Sequence, residues 1–422
     1  MKSSRIVFSL IIIGLFCHFN SLLFSQFNMH DPASADVTTA WYSKLSLLSD
    51  IALTFCSIYC FITYHKKFPA IINICYLIMI LFVFIGSFND LSIFTKTPSV
   101  FYSPKGIGTW INFGLLYFTA EEAYTSKIFK LYKYFCYAII LFNVMQIGLL
   151  GSVSNREQAL NAIRDTTVNV LWIFPFFFLD NDDKTTNAKL LKYFLILLLA
   201  FFAFAIASRS YLLTIAIFIL IKLKRDLKEG RSAAMLAGMA IIGVLLGYYV
   251  VSNIDKFTTL KDLGSVFSGR IGEDSRSSQL KEFMDQFNYD KLFTGVGPTG
   301  EWNWSGDLKA PYQWLDNQFI LATWWFGLQT FIVYFIYLVY SAFRRNPLKI
   351  LAVSNGKIVV FFWILACAGF GIYVTFSSSL YYYFITFLIG TITLNIRHVS
   401  VYQLDNNEAN EMELSKTSNT LI

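Results

Sequence analysis

Long apolar runs separated by short polar links dominate the chain. A helix that crosses a bilayer needs about 20 mostly apolar residues, and most of these runs approach that length. We therefore predict an all-α polytopic membrane protein with about 12 transmembrane helices. The predicted spans are 6–27, 45–64, 68–88, 107–120, 134–151, 166–179, 190–207, 210–221, 233–252, 318–341, 358–376 and 380–396.

Three of these runs are short, namely 107–120, 166–179 and 210–221. We expect each of them to extend into its polar flanks, or to be tilted or partly re-entrant. The first run of the chain follows Lys2 and Arg5, as the apolar part of a signal peptide would. It is long for a signal peptide and no small-residue cleavage site follows it, so we predict a retained first helix.

Basic residues in the links predict the orientation of the chain. If the N-terminus is cytoplasmic, the inner segments carry 19 Lys and Arg residues and the short outer loops carry 6. Cytoplasmic links of membrane proteins are enriched in Lys and Arg, so both termini are predicted to be cytoplasmic. The inner segments are 1–5, 65–67, 121–133, 180–192, 222–231 and 342–357, and the short outer loops are 28–44, 89–106, 152–165 and 208–209.

The composition excludes a soluble multidomain enzyme. Hydrophobic residues make up 55% of the 422 residues and charged residues only 14%, whereas soluble globular chains carry roughly 25% charge. The net charge of +7 is spread over the links rather than gathered in one patch, so we expect no nucleic-acid partner. We predict a single transmembrane domain over 1–398 and a disordered cytoplasmic tail over 399–422.

One predicted outer loop, 253–315, is much longer than the others. In a protein otherwise built from helices and short links, a loop of this length is usually functional. Within it, Leu280, Phe283, Met284 and Phe287 recur at helical spacing, with charged residues between them. We predict an amphipathic helix whose apolar face rests on the membrane surface or on the helix bundle.

The same loop continues with glycines and then with aromatic residues. The segment 294–300, TGVGPTG, predicts tight turns and lacks the Gly-Lys-Ser/Thr ending of a phosphate-binding P-loop. Trp302, Trp304, Tyr312 and Trp314 follow it. Such rings either stack on the C–H faces of sugars or anchor a protein at the membrane surface, and both roles fit the pattern.

Several charged residues lie at the predicted outer boundary of the membrane. Arg209 occupies a link so short that its guanidinium must lie at or just inside this boundary, which is costly unless it meets an anion or a partner. Arg270 and Arg276 lie in the long loop. Asp316 and Asn317 open the next helix, where Asp316 is either an N-cap or first-turn acid, or a functional carboxylate.

Asp50, Arg164 and Asp165 lie near the outer ends of other apolar runs. Pairing of Arg164 with Asp165 or with Asp50 would give these residues a structural role. The middle of the predicted helices is nearly free of charge, whereas a proton-driven transporter tends to place ionisable residues near the midplane. We therefore expect any chemistry to take place at the outer surface.

The order of these features resembles the Wzy-type O-antigen polymerase and O-antigen ligase superfamily of bacterial envelopes. The resemblance covers roughly residues 190–341 and lies in the order, spacing and topology of short motifs. These motifs are Ser208-Arg209-Ser210, Gly269-Arg270, 293–298 (FTGVGP), 315–319 (LDNQF) and Gly327.

The resemblance implies a helical membrane glycosyltransferase in the inner (cytoplasmic) membrane of a bacterium. Such an enzyme takes a glycan from an undecaprenyl-pyrophosphate carrier on the periplasmic face and transfers its reducing end to an acceptor hydroxyl. The acceptor is another carrier-linked repeat unit in the polymerases and lipid A–core in the ligases. The implied partners are the undecaprenyl-pyrophosphate-linked oligosaccharide, the lipid bilayer and a chain-length regulator protein.

The resemblance also assigns roles to residues. Arg209 and Arg270 match the two arginines associated with the carrier pyrophosphate, whose developing charge a guanidinium stabilises. No Asp-rich metal motif lies on the outer face, so we expect arginines in place of a divalent cation, and no metal or cofactor. Ligases typically have His-Asn where this chain has Asp-Asn, which favours a polymerase with Asp316 as the proton acceptor. Further substrate contacts are predicted for Arg276, Asn317, Arg164, Asp165 and Asp50.

Two alternatives remain open. One is an O-antigen ligase that uses the same machinery with a different acceptor. The other is a lipid-linked oligosaccharide flippase or another transporter, which does not need a long outer loop. Because a transporter would be expected to carry charged residues through the membrane centre, the depth of the charged residues distinguishes it from the enzyme.

Overall fold

The described part of the chain is entirely helical. Within it, the computed structural model contains thirteen α-helices, three 3-10 helices and no β-strand. The predicted span 233–252 and the predicted tail 399–422 lie outside the described residues. The described residues are 2–28, 41–89, 106–149, 156–180, 186–206, 208–228, 275–298, 300–303, 305, 315, 317–344, 351–368 and 379–394.

The α-helices are numbered here in chain order. They are α1 Lys2–Asn28, α2 Trp41–Tyr64, α3 Ala70–Ser87, α4 Ile107–Ile111, α5 Glu122–Leu149, α6 Arg156–Phe178, α7 Thr186–Ala205, α8 Arg209–Lys228, α9 Ser275–Asp285, α10 Gln318–Phe326, α11 Leu328–Phe343, α12 Leu351–Cys367 and α13 Leu380–Thr393. The 3-10 helices are His65–Lys67, Asn112–Ala120 and Tyr289–Lys291.

Five helical segments of the described residues are long and apolar enough to cross a membrane. This confirms a helical membrane protein, while the number of twelve spans and the orientation stay predictions. Apolar helices of 10 to 17 residues lie within α11, α12 and α13. The five long segments are Ser3–Phe24, Lys44–Lys67, Ala70–Ser87, Glu122–Gln146 and Asn187–Phe204.

Two of the short predicted spans extend into their polar flanks, as expected. The run 166–179 coincides with the second half of α6, Arg156–Phe178, to within one residue, and the run 210–221 lies within α8, Arg209–Lys228. The run 134–151 was placed too late, because α5 already begins at Glu122. Hydropathy does not detect such starts, since polar and charged residues in the first turns of a helix can lie at the membrane boundary.

The run 107–120 is not one α-helix. Its first turn is α4, and Asn112–Ala120 continues it as a 3-10 helix that packs between α2 and α13. A 3-10 segment of this length is uncommon, and its backbone needs partners where water is excluded. Hydroxyl groups supply them: Tyr76 donates to the carbonyl of Ile111 at 2.8 Å, and Ser57 donates to the same oxygen.

The last helix, α13, forms the centre of the bundle. All of its residues but one are buried, and it packs against the 3-10 segment 112–120 and against α6, α11 and α12. Its N-terminal end has no capping side chain of its own. Asn169 of α6 replaces the cap, because its Oδ1 accepts the backbone N–H of Tyr381 at 3.1 Å.

The predicted span 318–341 is broken into two helices. α10 ends at Phe326, Gly327 adopts a φ of 93°, and α11 begins at Leu328. A positive φ is readily adopted only by glycine, so the break follows directly from the residue at this position. α10 has 9 residues and is about 14 Å long, too short to cross a bilayer alone.

Candidate functional site

The described residues between 275 and 305 fold into one unit, which we call the outer-loop unit after its predicted side. Phe283 of α9 and Phe287, two residues beyond its end, both point inward, and the Phe283 ring lies 5.3 Å from Trp302 and 5.2 Å from Trp324 between centroids. Phe283 is fully buried. Because Trp324 belongs to α10, the predicted amphipathic helix is confirmed and its apolar face packs on the helix bundle.

Two polar side chains, Glu282 of α9 and Gln286 directly after it, bind the segment that follows. Glu282 accepts hydrogen bonds from the Ser305 backbone N–H at 2.8 Å and from the Ser305 hydroxyl at 2.7 Å. The backbone N–H of Ser305, followed by its hydroxyl, lowers the pKa of Glu282 from its usual value of 4.5. Gln286 donates to the carbonyl of Asn303 at 2.7 Å and accepts its N–H at 2.9 Å, so the outer-loop unit is closed on itself.

The outer-loop unit is held on the bundle at the break between α10 and α11. The backbone N–H of Val296 donates to the carbonyl of Trp324 at 2.8 Å, and that of Gly297 donates to the carbonyl of Trp325 at 3.1 Å. The N–H of Leu328, in the first turn of α11, donates to the carbonyl of Leu292 at 2.8 Å. Backbone groups that the broken helix leaves without helical partners are thus satisfied by the loop.

Two glycines make this close approach possible. Gly295 has a φ of 71°, and a side chain there would overlap the carbonyl of Trp325. Gly327 has a φ of 93°, and a side chain there would overlap the carbonyl of Phe293. Asn89 adds a hydrogen bond from the end of α3 to the carbonyl of Thr294 at 2.7 Å.

The N-cap of α10 is Asn317. Its side-chain oxygen accepts the backbone N–H of Ile320 at 3.1 Å, and its amide nitrogen donates to the carbonyl of Ala368 at 3.0 Å. The interpretation of Asp316 as the N-cap or a first-turn residue is therefore wrong, since the cap and the first turn begin after it. Asp316 itself lies outside the described residues.

The predicted catalytic residues Arg209, Arg270 and Asp316 lie wholly or with their side chains outside the described part of the chain. Arg209 is the first residue of α8 and Arg276 lies in the first turn of α9, but both side chains lie outside the described part. Arg270 lies outside it entirely. Their meeting with Asp316 at one cavity stays a prediction.

Arg164 and Asp165 form the pair that the sequence suggested. The Nε of Arg164 lies 3.1 Å from Oδ1 of Asp165, and about half of each side chain is exposed. An exposed pair of this kind contributes little to stability. Both side chains remain accessible for the substrate contacts predicted from the sequence.

Asp50 pairs with a residue that the sequence interpretation did not assign to it. The alternative pairing with Arg164 is wrong, because Oδ1 of Asp50 lies 2.9 Å from Nε2 of His18 and accepts the hydroxyl of Tyr383 at 2.6 Å. Asp50 is 0% exposed and His18 is 4% exposed, so Asp50 is not an open substrate contact in this structure. One feature of the sequence could have identified His18, because it is an ionisable side chain in the middle of an apolar run.

The expectation that the middle of the helices is nearly free of charge must be corrected for His18 and Asp50, which are buried within their helices. A rise of about 1.5 Å per residue places His18 about 7 Å and Asp50 about 8 Å from the midpoints of Ser3–Phe24 and Lys44–Lys67. With the predicted orientation, both lie on the outer side of the midpoint. The pair is therefore buried within the outer half of the bundle rather than at its surface.

A second buried ion pair lies at the predicted inner end. Nζ of Lys222 lies 3.3 Å from Oδ1 of Asp226, whose Oδ2 accepts the hydroxyl of Tyr193 at 2.8 Å. Lys222 and Lys192 both donate to the backbone carbonyl of Asp180, just beyond the end of α6. Cations at the last carbonyls of a helix stabilise its C-terminus, which gives this cluster a structural role.

No group of three or more His, Cys, Asp or Glu side chains in the described residues is arranged to hold a metal ion. No protein-family model, no curated protein and no solved structure matches this chain.

Proposed function

We propose that this chain is a membrane glycosyltransferase that polymerises undecaprenyl-pyrophosphate-linked repeat units into O-antigen or a related surface polysaccharide on the periplasmic face. One observation carries the proposal: two of the sequence motifs meet at a single junction, and the nine-residue helix α10 joins this junction to a third motif, which contains Asn317. Residues 293–298 dock on the break at Gly327, and the helix that this break ends is capped by Asn317. This arrangement supports a site built at the outer end of α10.

The proposed reaction needs a base, an anion site and an acceptor. The acceptor hydroxyl attacks the anomeric carbon, the bond from that carbon to the pyrophosphate oxygen breaks, and undecaprenyl pyrophosphate leaves. Arg209 and Arg270 stabilise the charge that develops on the leaving group. Asp316 takes the proton of the acceptor hydroxyl, and the cap formed by Asn317 fixes the backbone next to it.

The polymerase is preferred to the ligase because of the residue pair at this helix start. Asp316-Asn317 replaces the His-Asn pair typical of ligases, and none of the four histidines lies near it in the sequence. A chain-length regulator protein and the lipid bilayer remain the proposed partners. The proposed location is the bacterial inner membrane.

A transporter is a second candidate, and one observation favours it. His18 and Asp50 are ionisable residues buried inside the helix bundle, which is the feature expected of a proton-coupled carrier. The pair lies on the outer side of the span midpoints, and the docked outer-loop unit has no evident role in a carrier. We therefore keep the enzyme as the first proposal.

The glycan profile of a strain that lacks the gene separates these functions. Surface glycan limited to one repeat unit supports the polymerase. Polymer that accumulates on the carrier lipid would identify a ligase, and repeat units trapped in the cytoplasm would identify a flippase. Lys281 is an exposed basic residue of the predicted long outer loop 253–315. Complementation with the variant Lys281→Ala therefore provides a control for variants of the proposed arginines.

A further inference from the structure

Two aromatic side chains of the outer-loop unit are largely exposed. Tyr289 and Phe293 are each 65% exposed, whereas Phe283 and Phe287 of the same unit are buried. Leaving rings of this size in water is unfavourable, so they are normally buried or placed at an interface. The contacts that hold the unit together and dock it on the bundle leave both rings uncovered.

The backbone of this segment lies at the end of a membrane-spanning helix. Asn89, two residues after the end of α3, donates to the carbonyl of Thr294 at 2.7 Å. The backbone N–H of Leu328, the first residue of α11, donates to the carbonyl of Leu292 at 2.8 Å. Phe293 lies between these two contacts, so it is held at the level where α3 ends and α11 begins.

The neighbouring surface of α3 and α11 is apolar and exposed. The two helices pack against each other, and α3 is one of the segments long and apolar enough to cross a membrane. Exposed apolar side chains on a membrane-spanning helix face lipid, which places Phe293 at the edge of a lipid-facing surface. The exposed side chains include Leu77, Leu81 and Phe84 of α3 and Ile332, Phe335 and Ile336 of α11.

The residues between the two rings suit the headgroup layer of a bilayer. The segment 289–293 has the sequence Tyr-Asp-Lys-Leu-Phe, and Asp290 and Lys291 are exposed. Aromatic rings are enriched at the level of the lipid headgroups, where a lysine can extend its ammonium into water while its stem contacts apolar groups. Asn288 caps the 3-10 turn of this segment by accepting the N–H of Asp290 at 3.0 Å, so this polar group of the turn is satisfied within the protein.

We propose that the segment 289–293 is inserted into the headgroup layer of the bilayer, with Tyr289 and Phe293 as its anchors. The partner of this surface is the lipid itself, because the two rings leave water for the boundary between headgroups and acyl chains. The outer-loop unit is thereby fixed from two sides, by backbone hydrogen bonds to the bundle and by the lipid. This anchoring does not depend on the proposed reaction.

The test uses nitroxide spin labels on the protein in vesicles of phosphatidylcholine. Tyr289→Cys and Phe293→Cys carry the label on the segment. Lys281→Cys and Asp285→Cys are the matched controls, because both residues are exposed on the side of α9 opposite its buried face. The labelled wild-type protein gives the background, since five of its six cysteines are buried and Cys17 is partly exposed.

Collision rates with two reagents measure the surroundings of each label: oxygen, which dissolves in lipid, and a nickel chelate, which stays in water. The ratio of oxygen to nickel collisions is expected to be several-fold higher at positions 289 and 293 than at 281 and 285. Because a cysteine at 293 could loosen the docked segment, hydroxyl-radical footprinting of the unmutated protein is the second measurement. Tyr289 and Phe293 should be oxidised several-fold more slowly in vesicles than in a free peptide of residues 286–296.

Two outcomes would overturn the proposal. One is a water-like ratio at the labelled positions with footprinting rates close to those of the free peptide, which would place the segment in the aqueous phase. The other is a label that is immobilised and shielded from both reagents, which would assign this surface to another protein chain. If label and footprint disagree about exposure to water, the footprint of the unmutated protein decides.

Discussion

The N-cap hydrogen bond of α10 is accepted by Asn317. A substitution of the neighbouring Asp316 therefore tests a catalytic role of its carboxylate without removing the helix cap. A capping role would need only an oxygen, which Asn supplies as well as Asp. A base needs a titratable carboxylate, so Asp316→Asn should reduce chain elongation on the order of 10²-fold or more, at normal membrane abundance. The rate of glycan elongation in membranes that contain the variant measures this.

Asn317→Ser is the matched comparison for this prediction. Serine keeps a capping oxygen but loses the amide that donates to the Ala368 carbonyl. It should retain more elongation activity than Asp316→Asn. An Asp316→Asn protein that elongates at the wild-type rate would remove Asp316 as the base, and Asp165 would become the next carboxylate to test.

The two proposed pyrophosphate ligands give a second prediction at the scale of single residues. Arg209→Ala and Arg270→Ala should each abolish or sharply reduce elongation, since no other group of the proposed site would stabilise the leaving pyrophosphate. Lysine at either position should rescue only part of the activity, because an ammonium cannot form the bidentate contacts of a guanidinium. Full activity of either alanine variant, compared with Lys281→Ala, would exclude that arginine from the site.

Single-residue features differ in how far the sequence predicts them. The Arg164–Asp165 pair could be predicted from the sequence, because the two residues are neighbours in the chain. The partners of Asp50 were not predictable, since His18 faces it from the preceding helix and Tyr383 lies 333 residues away in the sequence. Hydropathy predicts a membrane span at each of the three helices and contains no information about which of their faces meet.

At the scale of elements, the junction between the outer-loop unit and the break after α10 depends on two glycines. An alanine at Gly295 or Gly327 must adopt a positive φ, at a cost of about 1–3 kcal/mol, and its Cβ would also overlap a backbone carbonyl. Each variant should undock the outer-loop unit and increase its cleavage by protease added from the outer side. Elongation should fall in parallel.

Gly356→Ala in α12 is the control for these glycine variants. The nearest atom to its new Cβ is a side-chain carbon of Ile392 at 3.2 Å, and alanine favours a helix by up to about 1 kcal/mol over glycine. Protease sensitivity of the outer-loop unit should not change in this variant. Equal sensitivity of Gly327→Ala and Gly356→Ala would contradict the docking argument.

The contact between Glu282 and Ser305 predicts a pH dependence of the outer-loop unit. Hydrogen bonds from Ser305 lower the pKa of Glu282 from its usual 4.5, so this contact stabilises the closed unit above pH 4.5. Its contribution should decrease as the pH falls below 4.5 and vanish below the lowered pKa. Hydrogen–deuterium exchange of the Ser305 region, corrected for intrinsic rates, should accelerate over this acidic range.

Glu282→Gln should remove this pH dependence and leave faster exchange at neutral pH. Asp285→Asn changes another exposed carboxylate of α9 and should behave like the wild type. An acidic transition of the same size in wild type and in Glu282→Gln would assign the effect to a different group.

The sequence predicts those helices whose position follows from the pattern of apolar residues. It does not predict breaks and 3-10 segments, which depend on backbone geometry. The amphipathic pattern from Leu280 to Phe287 correctly predicted α9, because helical spacing is visible in the sequence. The 3-10 segment 112–120 and the break at Gly327 lie inside apolar runs that look continuous. Their stability comes from distant partners, such as Tyr76 on the Ile111 carbonyl, which no local pattern contains.

At the scale of the whole molecule, three contacts each join segments that the sequence places at the same side of the membrane. Ser4 lies 3.3 Å from the hydroxyl of Tyr64, and Arg225 reaches Asn355, so segments that the charges assign to the inner side meet one another. Asn89 contacts Thr294, so predicted outer segments also meet. This grouping agrees with the distribution of Lys and Arg, although the positive-inside rule makes no use of contacts.

The predicted orientation of the bundle is tested by measuring the side of one predicted inner link and of one predicted outer link. A reporter fused after residue 226 should report the cytoplasm, since the segment 222–231 carries five Lys and Arg residues. A reporter fused after residue 290, within the outer-loop unit, should report the periplasm. Fusion pairs of a phosphatase and a fluorescent protein, active on opposite sides, measure both positions. The reverse result would place Asp316 and the proposed pyrophosphate site on the cytoplasmic face, where a polymerase of this kind has no substrate, and would remove the proposed function together with the orientation.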